Sequence, residues 1–227
     1  GLEVDSIVKR KDDSVIDIEF TPNRGDCLSV YGTARDLSAI SLKKIHLPKL
    51  QSIKTKKAKD NVLKKIEHNI CPEYRYILFN NINNSFKTPD YIKQRLKDSN
   101  IAPINLFVDV SNYVLMELGQ PTHAFDFDKI DSFLSIKNSS RERKFLALDN
   151  KEYTIPKNTP VITDKSGLIH ALPGVIGSKY SSVTKTTKNI LVESAFFVPD
   201  VVRKLSSQFR IQTDSSYRFE RGVDYNL

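Results

Sequence analysis

The stretch that most limits what this chain can fold into runs from Asn105 to Asp128, NLFVDVSNYVLMELGQPTHAFDFD. Its opening run, Leu106-Phe107-Val108-Asp109-Val110, is apolar and rich in β-branched residues, which predicts a buried strand. Ser111 then offers a hydroxyl able to cap a short helix over 112–118, and Gly119 is the residue that most easily takes the left-handed conformation closing it. Pro121 follows at once. Strand, short helix and tight turn would leave Asn112 just past the strand and His123 just past the turn, so that a carboxamide and an imidazole face a common cleft.

A chain of 227 residues has room for one substantial domain plus an appendage. No apolar run approaches a membrane span and the first residues show no signal-peptide pattern, so the expectation is a cytoplasmic protein with no membrane partner. Cys27 and Cys71 have no companions at metal-ligand spacing and read as free thiols, with no metal site. The net charge of +8 and a pI near 9.3 suit a polyanionic partner. Much of the excess lies between Lys54 and Lys65, however, and a lysine run of that kind is more ordinarily a solvated linker than a docking surface. The absence of an initial methionine and the stop just after an arginine-containing motif are those expected of a piece of a longer polypeptide.

Taken in order, 15–20 alternates as a half-buried strand. Asp26 can cap a following helix in which Leu28, Tyr31, Ala34, Leu37 and Ile40 recur at helical spacing. Residues 74–79 read as a strand whose two tyrosines pack a core, and Thr88-Pro89 as a helix start with Ile92 and Leu96 inward. Beyond Asp128, short strands at 134–137, 144–148, 153–155, 160–163 and 168–172 are separated by turn formers, the pattern of antiparallel meanders. A strand over 189–197 and a helix opening at Pro199-Asp200 complete an α+β chain.

Chemistry concentrates at few positions. Glu193 sits among apolar neighbours in NILVESAFF, where an unpaired carboxylate is costly, so either a structural arginine or backbone amide, or a ligand hydroxyl, must meet it. Gly174 and Gly177 in ALPGVIG permit a tightly curled backbone with free amides, or simply a hairpin turn. Of four histidines only His123 lies in a recognisable constellation. Asp109, Asp126 and Asp128 fit capping and turn bonding better than an acid pair.

Three blocks, VDVSNYVLMELGQPTHAFD, TPNRGDCLS at 21–29 and TDSSYRFERGVD at 213–224, resemble the phenylalanyl-tRNA synthetase beta subunit. The first resembles the segment forming part of its editing site, where tyrosine wrongly attached to the phenylalanine tRNA is hydrolysed off. The resemblance implies a partial N-terminal small domain over 1–45 and, past the basic linker that the lysine run suggests over 46–70, a layered, sandwich-like sheet-and-helix editing domain over 71–227 running on toward a further domain. It implies that Glu193 accepts a hydrogen bond from the misattached tyrosine's phenol, with Gly174, Gly177, Ser111 and Ser215 lining the substrate pocket. It also matches His123 and Asn112 to residues that orient the hydrolytic water and the terminal adenosine; positioning suits His123 better than proton abstraction, because an aminoacyl ester is already activated. Capping argues against Ser111 as a nucleophile.

Partners implied by the resemblance are tRNA(Phe) and the alpha subunit of a heterotetramer. Hydrolysis needs no cofactor, while ATP and magnesium serve aminoacylation elsewhere in the parent enzyme. Pro173, Ser178 and Ser215 depart from the family's usual residues. The two serines favour the rival reading, a non-catalytic tRNA-binding or scaffolding module.

Overall fold

The computed structural model describes residues 2–11, 13–46, 52–56, 62–83 and 86–224. An antiparallel hairpin, β1 (Leu2–Lys9) and β2 (Ser14–Phe20), leads into α1 (Val30–Ser41). After the basic region come β3 (Leu63–Ile66), β4 (Glu73–Phe79), α2 (Asp90–Asp98), α3 (Leu106–Leu118) and β5 (Thr122–Asp126). Six short strands follow, β6 (Leu134–Asn138), β7 (Arg143–Leu146), β8 (Glu152–Ile155), β9 (Pro160–Thr163), β10 (Ile169–Leu172) and β11 (Ile176–Gly177). The chain then closes with β12 (Ile190–Phe196), α4 (Pro199–Phe209) and α5 (Asp214–Phe219).

This is the expected α+β class. Among the described residues one sheet has the order β11-β10-β9-β6-β3 and another the order β4-β12-β5. Their inner faces share one core, with Leu134, Ile136, Ile162 and Leu172 from the first and Phe125, Leu191 and Ala195 from the second. β7 and β8 form a separate hairpin. Fully burying side chains of this size stabilises by about 1.5–3 kcal/mol each, so the shared core fixes how the two sheets face one another.

The strand expected over 106–110 is instead the first turn and a half of α3. The Asn105 side chain accepts from the amides of Phe107 and Val108, both at 3.1 Å, and so caps the helix ahead of the apolar run. A buried strand would hide Val110; in the helix Val110 is 39% exposed and Asp109 is buried. Asp109 tolerates burial because it accepts from Thr88 Oγ1 at 2.5 Å and from the Ile104 amide at 2.7 Å. Ser111 is therefore inside the helix and caps nothing, whereas Gly119 closes it at φ +78° as its type suggests.

Smaller corrections follow the same logic. Thr88 does not cap α2, because the helix starts at Asp90 with Pro89 rather than Thr88 in the N-cap position; the Thr88 hydroxyl donates to Asp109 instead. Ser29, not Asp26, caps α1 by accepting from Gly32, and Asp26 is held by the Arg24 guanidinium. The stripe on α1 is not a core face, for Leu37 and Ile40 are 55% and 77% exposed. The end of the expected linker is structural: β3 pairs in parallel with β6, and Val62 and Ile70 are buried, while Lys64 and Lys65 face out. Positions 47–51 and 57–61 of that linker lie outside the described residues.

The N-terminal unit is anchored to the helices behind the site. Arg218 of α5 donates to the Leu28 carbonyl at 3.1 Å, and Arg35 pairs with Asp224 at 3.2 Å. A Cβ on Gly119 would press on Ser29, so the end of α3 lies close against the start of α1.

Candidate functional site

The site is a cavity of about 410 Å³ between α3, the β5–β12 pair, the β10–β11 turn and α5. That volume falls in the roughly 300–1,000 Å³ span usual for small-ligand sites. All seven residues singled out from sequence, Ser111, Asn112, His123, Gly174, Gly177, Glu193 and Ser215, line it. Helical geometry explains the first pair. Ser111, Asn112 and Leu115 share one face of α3, which a strand at 106–110 followed by a separate short helix would not have provided.

Glu193 and His123 are directly opposed in the antiparallel pairing of β12 with β5. Opposed residues on such strands have Cβ atoms about 4.5–5.5 Å apart and project from the same face. Glu193 is 6% exposed, and among the described residues no ion pair or side-chain hydrogen bond reaches its carboxyl. Its Oε2 is buried without a partner. The structural arginine contemplated for it is absent among the described residues. Loss of solvent pushes its carboxyl up to about 7, while the nearby Tyr74 phenol acts in the opposite sense. Near neutral pH the group is poised between its two forms.

His123 is held neutral. Burial, and secondarily the charge His170 could carry, lower its pKa to about 4. Nε2 is buried and unpartnered, and the ring sits edge-on to Phe125 with centroids 4.4 Å apart. An imidazole so hard to protonate is a weak base at neutral pH but a competent hydrogen-bond partner for a water or hydroxyl.

The glycines serve neighbouring side chains more than empty space. A Cβ on Gly177 would collide with the Cε1 and Nε2 atoms of His123, so this residue gives the imidazole its place. A Cβ on Gly174, where φ is +69°, would meet Val202 at 2.8 Å and the rings of Phe197 and Phe219 just beyond 3 Å. The turn is tied down from α5: Thr213 donates to the Val175 carbonyl at 2.8 Å and Ser215 to the Gly174 carbonyl at 3.1 Å. Thr213 and Ser216 also form a reciprocal cap on α5, a helix readable from the T-x-x-S spacing yet not picked out there. Ser178 is buried, accepts from the Tyr180 amide at 3.1 Å and does not line the cavity. The two serine departures are thus absorbed by the scaffold.

Four polar lining residues, Thr122, Asp149, Thr213 and Asp214, escaped the sequence reading. Asp149 and Asp214 bring carboxylates to the wall, and Thr122 a hydroxyl. Among the described residues no lysine or arginine lines the cavity. Elsewhere, Asp26, Cys27 and Asp36 approach closely enough to suggest a cation site. The Arg24 guanidinium fills it, donating to Asp36 at 2.7 Å and to Asp26 at 3.0 Å. Asp126 and Asp128 do not serve the capping and turn bonding expected of them: Asp126 makes no side-chain cap, and the two accept from Thr187 and Asn189, each 61 positions further along the chain. No helix among the described residues is long and apolar enough to cross a membrane.

A mixed-sheet domain with a buried carboxyl beside a neutral imidazole on one wall of a ligand-sized cavity is the class these features define. The chain belongs to the B3/4 domain family, whose model matches residues 70–227. It is 38% identical over 95% of its length to the phenylalanine–tRNA ligase beta subunit of Francisella tularensis, and 39% identical over its whole length to that of Acinetobacter baylyi. The chain spans 27% and 28% of those two relatives. An N-terminal fragment of the phenylalanyl-tRNA synthetase beta subunit from Pyrococcus horikoshii aligns with 92% of this chain and 65% of its own, at 19% identity and a TM-score of 0.47.

Proposed function

We propose that this chain is the editing part of a phenylalanyl-tRNA synthetase beta subunit and hydrolyses tyrosine from misacylated tRNA(Phe). The observation that carries the reading is the buried, unpartnered Glu193 carboxyl set opposite His123 on the wall of a cavity of ligand size. A phenol entering that cavity meets a carboxyl that no cation among the described residues neutralises. Phenylalanine would leave the acceptor dry and unpaired, which is the larger part of the discrimination.

The remaining parts follow from the lining. Asn112 on α3 and the neutral imidazole of His123 hold the attacking water and the ribose of the terminal adenosine. Water's oxygen bonds to the ester carbonyl carbon, the ester C–O bond breaks, and the proton passes to the departing ribose oxygen, leaving free tyrosine and uncharged tRNA. The neighbouring ribose hydroxyl can relay that proton, so His123 need not abstract it. The carboxylates of Asp149 and Asp214, with no lysine or arginine among the described lining residues, suit the protonated amine of an aminoacyl group and disfavour phosphate. The tRNA backbone therefore stays outside the cavity, held by the rest of the enzyme, with the alpha subunit as partner in the cytoplasm.

Deacylation of tyrosyl-tRNA(Phe) by the complete enzyme tests this. The wild type should hydrolyse the tyrosyl ester and spare the phenylalanyl ester, while Glu193→Ala and His123→Ala should each lose at least tenfold. Equal rates for wild type and both variants would leave the chain as a tRNA-binding module without hydrolytic activity.

A further inference from the structure

Tyr74 lies on β4, on the far side of β12 from His123. The register pairs Glu193 with Tyr76 and Ala195 with Tyr74, which makes Tyr74 the diagonal neighbour of Glu193 on the same sheet face. Diagonal neighbours are about 7–8 Å apart at the backbone, a gap that an aromatic side chain spans. Two polar atoms meet there with nothing else to bond. The Tyr74 phenol oxygen and Glu193 Oε2 are both buried, and neither has a partner within hydrogen-bond geometry. A phenol stranded in a core is costly, and the same core would be served by phenylalanine. Tyrosine at this position is explained by what stands next to it.

We propose that Tyr74 is a positioning residue for Glu193: its phenol closes on the inner carboxylate oxygen as the group ionises, leaving the outer oxygen to a ligand hydroxyl from the cavity. Glu193 then has a phenol on each side, one built in and one brought by the ligand. The inner bond favours the ionised form that a neutral phenol binds best, and it aims the carboxylate by fixing one of its two oxygens. Among the described residues, few charged and titratable groups surround Glu193. Tyr74 and Tyr76 face it from β4, His123 faces it from β5, and Cys71 lies close by in the turn before β4. Across the cavity stand Asp149 and Asp214. Of these, the phenol of Tyr74 is the group that lowers the Glu193 pKa, and the Glu193 charge in turn adds to burial in raising that of Tyr74.

The selectivity half of this proposal rests on the editing reading, but the pairing itself does not, and the experiment separates them. Protein carrying 13C at glutamate side-chain carboxyls is titrated by NMR, with Glu193 assigned through Glu193→Gln. In Tyr74→Phe the Glu193 pKa should rise by about one to two pH units, the effect of losing one hydrogen bond to a charged acceptor. In Tyr76→Phe it should stay within a few tenths. A Glu193 that titrates identically in wild type and Tyr74→Phe overturns the pairing. Should Tyr74→Phe fail to fold, wild-type protein made with ring-fluorinated tyrosine, a stronger donor, should show the opposite sign, and no change there overturns it equally.

In the complete enzyme, the pH profile of tyrosyl-tRNA(Phe) deacylation should move up with the Glu193 pKa, so that Tyr74→Phe recovers at alkaline pH. A purely structural tyrosine would lower the rate without moving the profile. Wild-type protein that shows the NMR shift yet does not deacylate rejects editing and keeps the pairing. Normal deacylation beside an unmoved Glu193 does the reverse.

Discussion

Replacing Glu193 with glutamine removes one titration and almost no volume, so it isolates the electrostatic cost of burying this carboxyl. A rise from 4.5 to about 7 on folding, at about 1.4 kcal/mol per pH unit, corresponds to about 3 kcal/mol. The sign follows from proton counting. Between about pH 4.5 and 7 the unfolded chain has released this proton while the folded chain keeps it, so the wild type loses stability over that window and is level again above it. His123 works in the other direction. With its pKa lowered from 6.5 to about 4, the folded state gains stability as pH rises through that window, and this stability is lost again on acidification. In the wild type the two slopes nearly cancel. Urea denaturation from pH 4.5 to 8 should show Glu193→Gln gaining about 3 kcal/mol on the wild type across the window. Parallel stability curves would refute the reasoning. A wild type that instead gains on the variant as pH rises would show that the folded protein supplies Glu193 with a cation.

Gly177→Ala drives a methyl into the His123 ring and should cost about 1–3 kcal/mol in urea denaturation, with deacylation falling at least tenfold as the imidazole is displaced. Asn105→Ala removes the cap of α3 and should cost about 1 kcal/mol, measured by thermal unfolding, because the Phe107 and Val108 amides lose their acceptor. Ser215→Ala loses the bond to the Gly174 carbonyl and should cost about 0.5–1.5 kcal/mol by the same measurement.

The second half of the chain is legible because its short strands are punctuated by residues that can do little but turn; Asn150 and Gly167 indeed take left-handed conformations. Residues 106–110 mislead because their β-branched content favours a strand, while the decisive feature is one preceding residue, Asn105, whose side chain caps a helix. No local pattern announces that Asp109 will be buried and satisfied from Thr88, twenty-one positions earlier. β3 is masked by its own lysines, which project outward from a strand whose burial depends on a partner far along the chain.

The site divides in the same way. Its residue types stand out one by one, and the resemblance gathers them, but register is a property of the fold. That Glu193 faces His123 on one side and, diagonally, Tyr74 on the other cannot be read from NILVESAFF. Tyr74 reads from sequence as core packing. It does pack, partly buried, against the core; only the stranded hydroxyl beside a stranded carboxyl sets it apart.

Binding of the two free amino acids reaches the central claim without requiring tRNA or turnover. Calorimetric titration of the protein near pH 8, where Glu193 is ionised, should give tyrosine an advantage over phenylalanine of roughly one to two orders of magnitude, the worth of one hydrogen bond to a charged acceptor. In Glu193→Ala that advantage should vanish. Equal affinity for the two amino acids in the wild type, or a preference for tyrosine that survives in Glu193→Ala, would contradict a site that selects its ligand through this carboxylate.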